Sequence, residues 1–355
     1  MTEVLFLGRA EVERLLAPEV CLAAVEHAFR LLGEGKAAPP AILSMHAERG
    51  SFHVKAGMLS TDRPYFAAKV NANFPGNASR GLPTIQGAVI LSDAADGTPL
   101  AIMDSGAITA LRTAAASALA AKHLARKGWS TLAVCGCGGQ AKAQLLALYA
   151  AGRPERVMVY DLQRDKATAF ADAMNRSTGM TLKVAGTVEE CFAHADVAVT
   201  CTTAKRYFVT REIVRPGTFV AAVGADNEDK QEIDPALLAA AKVVTDLTAQ
   251  AAAIGDLHHA IAARVMSAAD VHAELGEIIC GRKPGRESDD EVIVFDSTGT
   301  GLQDVGAAIA AYGAAVAEKS RVSDAGRGAQ GPELRGTCDT LLDPEKERCL
   351  QQGGT

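Results

Sequence analysis

The sequence predicts an α/β protein in which a doubly wound parallel sheet is inserted into a smaller α+β domain. Three observations predict this fold: a strand, glycine turn and helix near mid-chain, alternating strands and helices after them, and a period-two apolar pattern before them. We assign 1–115 with 305–320 to the smaller domain and 116–304 to the parallel sheet. Residues 321–355 form a polar tail that we expect to be mobile.

The central unit predicts a Rossmann-type dinucleotide site. An apolar strand leads into a turn and then an Ala/Leu-rich helix, and the turn residues are Gly136, Gly138, Gly139, Gln140 and Ala141. Glycines permit the tight turn and let backbone N–H groups approach a pyrophosphate. The next strand ends in Asp161, where a carboxylate accepts hydrogen bonds from both ribose hydroxyls and repels a 2′-phosphate. The predicted cofactor is therefore NAD(H), although other α/β proteins share such glycine turns.

Composition excludes several classes of partner. The 355 residues are 48% hydrophobic and 22% charged, as in an ordinary globular protein, and the net charge is −6. Nucleic acids and anionic membranes both require clustered Lys and Arg, so we expect neither as a partner. No apolar run is long enough to span a bilayer, and the N-terminus carries acids where a signal peptide carries bases, so we expect a cytoplasmic protein. The scattered cysteines predict no metal site.

The first 127 residues predict helices around a small antiparallel sheet. An amphipathic pattern spans residues 10–33, and from Ala41 the period changes to two, with a hairpin turn at Asp96 and Gly97. A long alanine-rich helix follows from Ile108 to about Lys127. After Asp161 strands alternate with helices as far as a last strand and glycine turn. A final helix would carry the chain back towards the first domain.

Candidate catalytic groups follow the predicted strands of the parallel sheet. Substrates of such sheets bind beyond the carboxyl ends of the strands. Asp226 follows one strand, and Thr202, Ser297 and Thr298 follow others, where a hydroxyl or the backbone can contact a nicotinamide. Asp226 has an alternative interpretation as a helix cap or a turn residue.

Two cations of the first domain are candidates for binding an anion. Lys69 lies on one face of a half-polar strand, and Arg112 interrupts the alanine-rich helix. Buried cations are costly unless paired, and an anionic ligand would pair them. The alternative is that each reaches solvent or a protein carboxylate. Lys55, which we expect two strands away and in phase with His53, is either a third cation of the site or exposed.

Five segments resemble the ornithine cyclodeaminase and μ-crystallin family. They occur in the family's order between about residues 65 and 318, and their sequences are KVNANFPGNASRGLPTIQGAVILSDAADGTPLAIMDSGAITALRTAAASALAAKHLAR, GCGGQAKAQLLAL, VGADNEDKQEID, ELGEIICGRKPGR and VIVFDSTGTGLQDVG. The resemblance implies a homodimer whose substrate-binding and dimerisation domain is made of both chain ends. It also implies an NAD(P)-dependent reaction at the α-carbon of an amino acid or its imine.

The resemblance also implies roles for single residues. Lys69 and Arg112 would hold the substrate carboxylate, Thr84 would line the pocket, and Asp226 would be the acid/base residue at the reacting nitrogen. Members that cyclise ornithine have an arginine on the strand that starts near Ala41, and Glu then Met where this chain has His53 and Lys55. No arginine lies between residues 41 and 48 here.

Three functions are therefore compared. The first is an NAD(H)-dependent imino-acid reductase or amino-acid dehydrogenase, with Lys55, Lys69 and Arg112 on the carboxylate and Asp226 and Lys69 as catalytic groups. The second is an ornithine cyclodeaminase, which converts L-ornithine to L-proline and ammonia and recycles its NAD. The third is a non-catalytic, crystallin-like nucleotide-binding protein. Replacing an acid by His and adding Lys disfavours a diamino substrate, because its distal ammonium needs a carboxylate.

Overall fold

The computed structural model describes residues 4–328. Residues 4–315 belong to one compact unit, and residues 316–328 belong to a second. Most of the predicted tail, residues 329–355, lies outside the described residues. The last helix continues to Gly328 and so includes the start of that tail.

The smaller sheet has six strands in the order β1-β6-β5-β4-β3-β2. They are β1 Leu5–Leu7, β2 Ala41–Ala47, β3 Gly50–Ser60, β4 Pro64–Asn73, β5 Ile85–Asp93 and β6 Pro99–Asp104. All pairs are antiparallel except β1 with β6, which is parallel. The period-two pattern predicted the antiparallel part, whereas a three-residue strand such as β1 is too short to show a period.

The larger sheet has eight parallel strands in the order β15-β14-β16-β12-β10-β7-β8-β9. Strands β11 and β13 form a separate, two-stranded parallel sheet. The bounds of all the later strands are β7 Thr131–Cys135, β8 Arg156–Tyr160, β9 Leu182–Val184, β10 Val197–Thr200, β11 Lys205–Val209, β12 Phe219–Ala222, β13 Gln231–Ile233, β14 Lys242–Thr245, β15 Ala273–Glu274 and β16 Ile293–Asp296. The first strand of this sheet along the chain, β7, lies in its interior, and later strands are added on both sides of it. This doubly wound order confirms the predicted fold class.

Helices cover both sheets. They are α1 Arg9–Leu15, α2 Pro18–Gly33, α3 Ser105–Leu124, α4 Ala141–Gly152, α5 Arg164–Thr178, α6 Val188–Phe192, α7 Pro235–Ala240, α8 Thr248–Ile254, α9 Asp256–Ala262, α10 Leu275–Ile279 and α11 Gly301–Gly328. Helix α3 begins three residues before the predicted Ile108, because Asp104 caps it by accepting a hydrogen bond from Ala107 N at 2.7 Å. No helix among the described residues is long and apolar enough to cross a bilayer.

The two faces of the six-stranded sheet differ. On the inner face Tyr65, Ala67, Val89 and Leu91 join the hydrophobic core with α3. Large apolar side chains on the outer face are exposed to solvent, and they are Phe6, Leu43, Met45, Phe52, Met58, Val70 and Ile90. The cations Lys55 and Lys69 lie on the inner face as a cross-strand pair and are both buried. The sheet therefore presents charge to the interior and apolar surface to the outside.

Candidate active site

Most of the predicted site residues follow the ends of five neighbouring strands. In the order of the strands across the sheet, Asp161 follows β8, the glycine turn follows β7, Thr202 follows β10, Asp226 follows β12 and the segment Ser297–Gly299 follows β16. Strands are spaced about 4.8 Å apart, so the row is about 20 Å long. The carboxyl edge of the parallel sheet thus collects residues that lie far apart in the sequence.

The glycine turn is open on one side and tightly packed on the other. Gly136 has φ +96°, and a Cβ built on it would lie 2.9 Å from the carbonyl oxygen of Cys201. A Cβ on Gly138 or Gly139 would meet nothing within 4 Å. Helix α4 has no side-chain cap at Gln140, so backbone N–H groups of its first turn are available to an anion. This part of the site therefore fits a pyrophosphate.

Asp161 is fixed beside this turn by backbone hydrogen bonds. Its Oδ2 accepts from Cys137 N and its Oδ1 from Gln163 N, each at 2.9 Å. A carboxylate oxygen has a second lone pair, so both oxygens still have the capacity to accept from ribose hydroxyls. The guanidinium of Arg164 lies 3.7 Å from a Cβ built on Gly186, beyond the next strand, rather than on Asp161.

Lys69 and Arg112 meet at one buried carboxylate. Lys69 Nζ and Arg112 Nε both donate to Asp304 Oδ1 at 2.9 Å, and Arg112 also donates to Gln303 Oε1 at 2.8 Å. Burial opposes the charge on Asp304, but the two cations outweigh it and lower the pKa of that carboxyl. Burial and the neighbouring Arg112 lower the pKa of Lys69 to about 7. The alternative pairing considered from the sequence, with a protein carboxylate, is therefore present.

Lys55 holds the turn after β16. Its Nζ donates to the carbonyl oxygens of Thr298 and Gly299, both at 2.8 Å. Burial, more than any charge nearby, lowers the pKa of this lysine. Lys55 is thus a third buried cation beside Lys69, and it contacts main chain rather than an anion.

The hydroxyl groups of this turn already have partners. Thr298 Oγ1 donates to Asp246 Oδ1 at 2.9 Å and accepts from Gln250, and Ser297 Oγ lies 3.5 Å from Asp246 Oδ2. Gly299 N donates to the same carboxylate at 2.6 Å. Asp246 and Lys55 therefore fix both the hydroxyl groups and much of the backbone of this turn within the protein.

Asp226 is the exposed acid of the site. Its side chain is 44% exposed, and its Oδ1 accepts a hydrogen bond from Lys230 Nζ at 2.6 Å. Burial opposes its charge, but Lys230 and Lys55 outweigh that effect and lower the pKa of Asp226. No helix begins at this residue, since α7 is capped by Asp234, so Asp226 is not a helix cap.

Thr202 has a different environment from the one predicted. Its backbone N and its Oγ1 both donate to Glu232 Oε1 at 2.7 Å, and Glu232 Oε2 also accepts from Gly224 N. Glu232 therefore joins the ends of β10 and β12, whose loops carry Thr202 and Asp226. The Thr202 methyl carbon lies 2.9 Å from a Cβ built on Gly136, so this side chain packs against the glycine turn.

Thr84 and His53 are the two remaining residues considered from the sequence. Thr84 is half-buried just before β5, and its carbonyl oxygen accepts from Phe74 N. His53 on β3 is near Ser44 Oγ and Ser51 Oγ, and burial lowers its pKa, so its ring is neutral at pH 7. The charge of Asp226 acts on His53, which indicates that β3 and the loop after β12 lie at the same site.

Sequence reasoning missed the buried acids that organise the site. These are Glu232, Asp246, Asp256, Asp296 and Asp304. Asp246 directly follows β14 as Asp161 follows β8, so the same signal was present. Asp296, the last residue of β16, carried that signal too, whereas the other three acids gave none, because their partners are distant in sequence.

A family model identifies the chain. The model described as the ornithine cyclodeaminase/mu-crystallin family matches residues 2–319. The chain belongs to this family. The resemblance inferred from five sequence segments is thereby confirmed.

Three members of the family show what the chain is similar to. The alanine dehydrogenase of Archaeoglobus fulgidus is 39% identical over 311 residues, which are 87% of this chain and 94% of that protein. A structure of an archaeal alanine dehydrogenase dimer with bound NAD has a TM-score of 0.83 at 38% identity, covering 89% of this chain and 97% of that chain. The Thermococcus litoralis Δ1-pyrroline-2-carboxylate reductase, in complex with NADH and L-proline, has a TM-score of 0.85 at 32% identity, covering 89% and 98%.

Proposed function

We propose that this protein is an NAD(H)-dependent oxidoreductase that interconverts a small amino acid and its imine at the α-carbon. One observation carries the proposal: the buried cations Lys69 and Arg112 and the half-exposed Asp226 all lie close enough to Lys55 to interact with it electrostatically. Lys55 in turn holds the turn after β16, at the carboxyl edge of the sheet that carries the glycine turn. Cations recognise a carboxylate, and an acid at a strand end suits a reacting nitrogen. Similarity to alanine dehydrogenase and to pyrroline-2-carboxylate reductase supports the same class of reaction.

The residues at the glycine turn fit NAD(H). The open space over Gly138 and Gly139 accommodates the pyrophosphate, and Asp161 accepts the adenosine ribose hydroxyls. The turn residues Gly136, Gln140 and Ala141, together with Thr202, Ser297 and Thr298, complete the proposed cofactor site. When bound, the nicotinamide accepts or donates the hydride of the reaction.

The side chains then have separate tasks. Arg112 and Lys69 hold the substrate carboxylate, with Asp304 and Gln303 keeping the guanidinium in place. A pKa of about 7 lets Lys69 exchange a proton near neutral pH, so it serves as a second proton-transfer group in addition to Asp226. Asp226 takes a proton from the substrate nitrogen in oxidation and returns it in reduction. Lys55 adds positive potential and Thr84 lines the pocket.

A homodimer built on the outer face of the six-stranded sheet belongs to this proposal. Monomers rarely leave a continuous apolar face of this kind in water, and here Met45, Phe52, Met58 and Val70 are all exposed. The archaeal relative with bound NAD is a dimer. The division into a substrate-binding and dimerisation domain, residues 1–115 with 305–320, and a nucleotide domain, residues 116–304, is part of the same proposal, as is a cytoplasmic location.

The cyclodeaminase alternative lacks a suitable acid. A diamino substrate needs a carboxylate for its distal ammonium, and this chain has His53 and Lys55 at the positions in question. Lys55 is buried beside Lys69, so this wall of the site is positive. A net reductase or dehydrogenase is therefore favoured.

Stoichiometric cofactor turnover tests the proposal. Purified protein is supplied with NADH and either a cyclic imino acid or a 2-oxo acid with ammonia, and NADH absorbance is followed. We expect one NADH consumed for each amino acid formed, and a much slower turnover in Asp226→Asn under the same conditions. Release of ammonia from L-ornithine without net NADH change would instead support the cyclodeaminase. NADH binding without turnover of any amino or imino acid would support the non-catalytic alternative.

A further inference from the structure

Lys230 is the one residue that hydrogen-bonds the Asp226 carboxylate within the described part of the chain. Its Nζ lies 2.6 Å from Asp226 Oδ1, and the pair spans a non-helical segment. The Lys230 side chain is 12% exposed, whereas that of Asp226 is 44% exposed. The cation is therefore fixed behind the carboxylate, and the second carboxylate oxygen is left for a ligand.

The backbone of the segment holds Lys230 in this position. Lys230 N donates to Asn227 O at 3.1 Å, and the Lys230 carbonyl oxygen is 2.9 Å from His259 Nε2 on α9. Strand β13 begins at the next residue, and the backbone N of Glu232 donates to the buried Asp256 at 2.8 Å. Because the backbone of Lys230 is already fixed, forming the ion pair costs only the conformational entropy of its side chain.

Other charged groups also face Asp226, but they act from further away. Lys55 and His53 approach from β3, and neither hydrogen-bonds the carboxylate. Glu228, in the same loop, lies 4.0 Å from His46, and both are exposed. Among these groups Lys230 has the largest effect in keeping the pKa of Asp226 low. Lys230 is therefore the charge whose removal should change the ionisation of Asp226 most.

We propose that Lys230 is a positioning residue that holds Asp226 ionised and directs its free oxygen to the substrate nitrogen. The inference rests on the proposed function. In oxidation the substrate ammonium gives a proton to Asp226, the α-carbon gives a hydride to NAD⁺, and the nitrogen lone pair forms the C=N bond. An Asp226 that is already protonated has no capacity for the first step, so Lys230 sets the lowest pH at which oxidation proceeds.

The pH profile of kcat/KM for amino-acid oxidation tests this role. Lys230→Met keeps the side-chain length and removes the charge. We expect the acid limb to move upwards by roughly 1 to 3 pH units, since a cation within hydrogen-bond distance lowers a carboxyl pKa by that amount. Lys230→Arg should restore the wild-type limb. An unchanged limb in Lys230→Met would overturn the proposal.

Lys205→Met is the matched control. Lys205 donates to Asp229 Oδ2 at 3.0 Å, so it forms the same kind of ion pair with the same loop, but both partners are exposed. Its removal should leave the profile where it is in the wild type. A shift as large as that of Lys230→Met would show that loop charge in general, rather than Lys230, sets the acid limb, and would overturn the proposal.

A direct titration separates this inference from the proposed function. If the wild type oxidises no amino acid, the proposed function fails, but the Asp226 carboxyl can still be observed by carbon-13 NMR of the full chain. Its resonance is assigned from the spectrum of Asp226→Asn. We expect that resonance to titrate at higher pH in Lys230→Met than in the wild type. Equal titration would overturn the role of Lys230 whatever the reaction is.

Discussion

The buried cations and the Asp226 loop lie at the same edge of the sheet, yet they hold charge in opposite ways. Lys69, Arg112 and Asp304 are all almost fully buried, and each has a protein partner of opposite charge. Asp226 has one partner and is nearly half exposed. The part that would recognise the carboxylate is thus fixed by the protein, whereas the part that would move the proton stays open to the substrate.

This difference determines what substitutions reveal. Removing one partner of a buried ion pair costs about 3 to 5 kcal/mol, because the remaining charge is left unpaired. An exposed pair contributes about 0 to 1 kcal/mol. Changes among the cations should therefore alter stability and substrate binding together, and changes at Asp226 should alter the chemistry alone.

The largest expected effect is on turnover in Asp226→Asn. Asn keeps the shape of the side chain and removes the charge and the exchangeable proton, so kcat should fall on the order of 10² to 10⁴-fold. The melting temperature and the NADH affinity should stay near wild type, because the side chain is half exposed. Steady-state kinetics and a thermal melt measure both. Near-normal kcat would transfer the acid/base role to Lys69 or His53.

Arg112→Ala should instead affect binding and stability at once. The unfolding free energy should fall by about 3 to 5 kcal/mol as Asp304 loses a buried partner. KM should rise or turnover should disappear, while NADH affinity is retained because the glycine turn is unchanged. Lys122→Ala is the control on the same helix, because Lys122 also forms an ion pair, with Nζ 3.6 Å from Glu26 Oε1, but its side chain is exposed. An unchanged KM in folded Arg112→Ala would leave Arg112 a structural role alone.

Gly299→Ala sharpens the comparison at the point where the turn meets the cations. The residue has φ +75°, and its Cβ would lie 2.4 Å from an Arg112 nitrogen. Gly281 has φ +72° with nothing within 4 Å, so Gly281→Ala measures the backbone cost alone, about 1 to 2 kcal/mol. Gly299→Ala should cost more in a denaturant melt and should also raise KM, since Arg112 must move. Equal effects of the two substitutions would show that the guanidinium yields without loss of function.

The features that the sequence predicted well are local ones. The glycine turn, its helix and Asp161 occur within about thirty residues, and most of the longer strands of both sheets follow from their apolar patterns. Lys69 and Arg112 were chosen because buried cations need partners, but their partner Asp304 lies 235 and 192 residues further along the chain. Only the folded chain reveals that the protein itself supplies that carboxylate.

A second limit concerns groups with two available roles. A hydroxyl at a strand end suits a ligand or a neighbouring carboxylate equally well, and Thr202 and Thr298 both hydrogen-bond acids of their own chain. Strands β11 and β13 were also missed, because β11 begins with Lys205 and Arg206 and β13 has only three residues, so neither shows an apolar run. Which hydrogen-bond partner a side chain adopts depends on its neighbours in the folded protein, and composition and spacing do not identify those neighbours.

The smallest predicted effect concerns the choice between NADH and NADPH. A 2′-phosphate would lie against Asp161, whose two oxygens are fixed by backbone N–H groups of the glycine turn and of Gln163. The carboxylate cannot turn away without breaking those hydrogen bonds, so we expect NADH to bind more than tenfold tighter than NADPH, about 1.4 kcal/mol or more. Titration with each cofactor measures the ratio.

Two variants test whether Asp161 alone is responsible. Asp161→Ser removes the negative charge and keeps a short polar side chain, so the preference for NADH should fall to a few-fold. Arg164→Ala should leave the ratio unchanged, because that guanidinium lies towards Gly186 and not at Asp161. If the wild type binds both cofactors equally and Arg164→Ala restores a preference for NADH, then Arg164 turns to neutralise the 2′-phosphate. The nucleotide end of the site would then adjust to its ligand, in contrast to the buried cations, which the protein itself fixes.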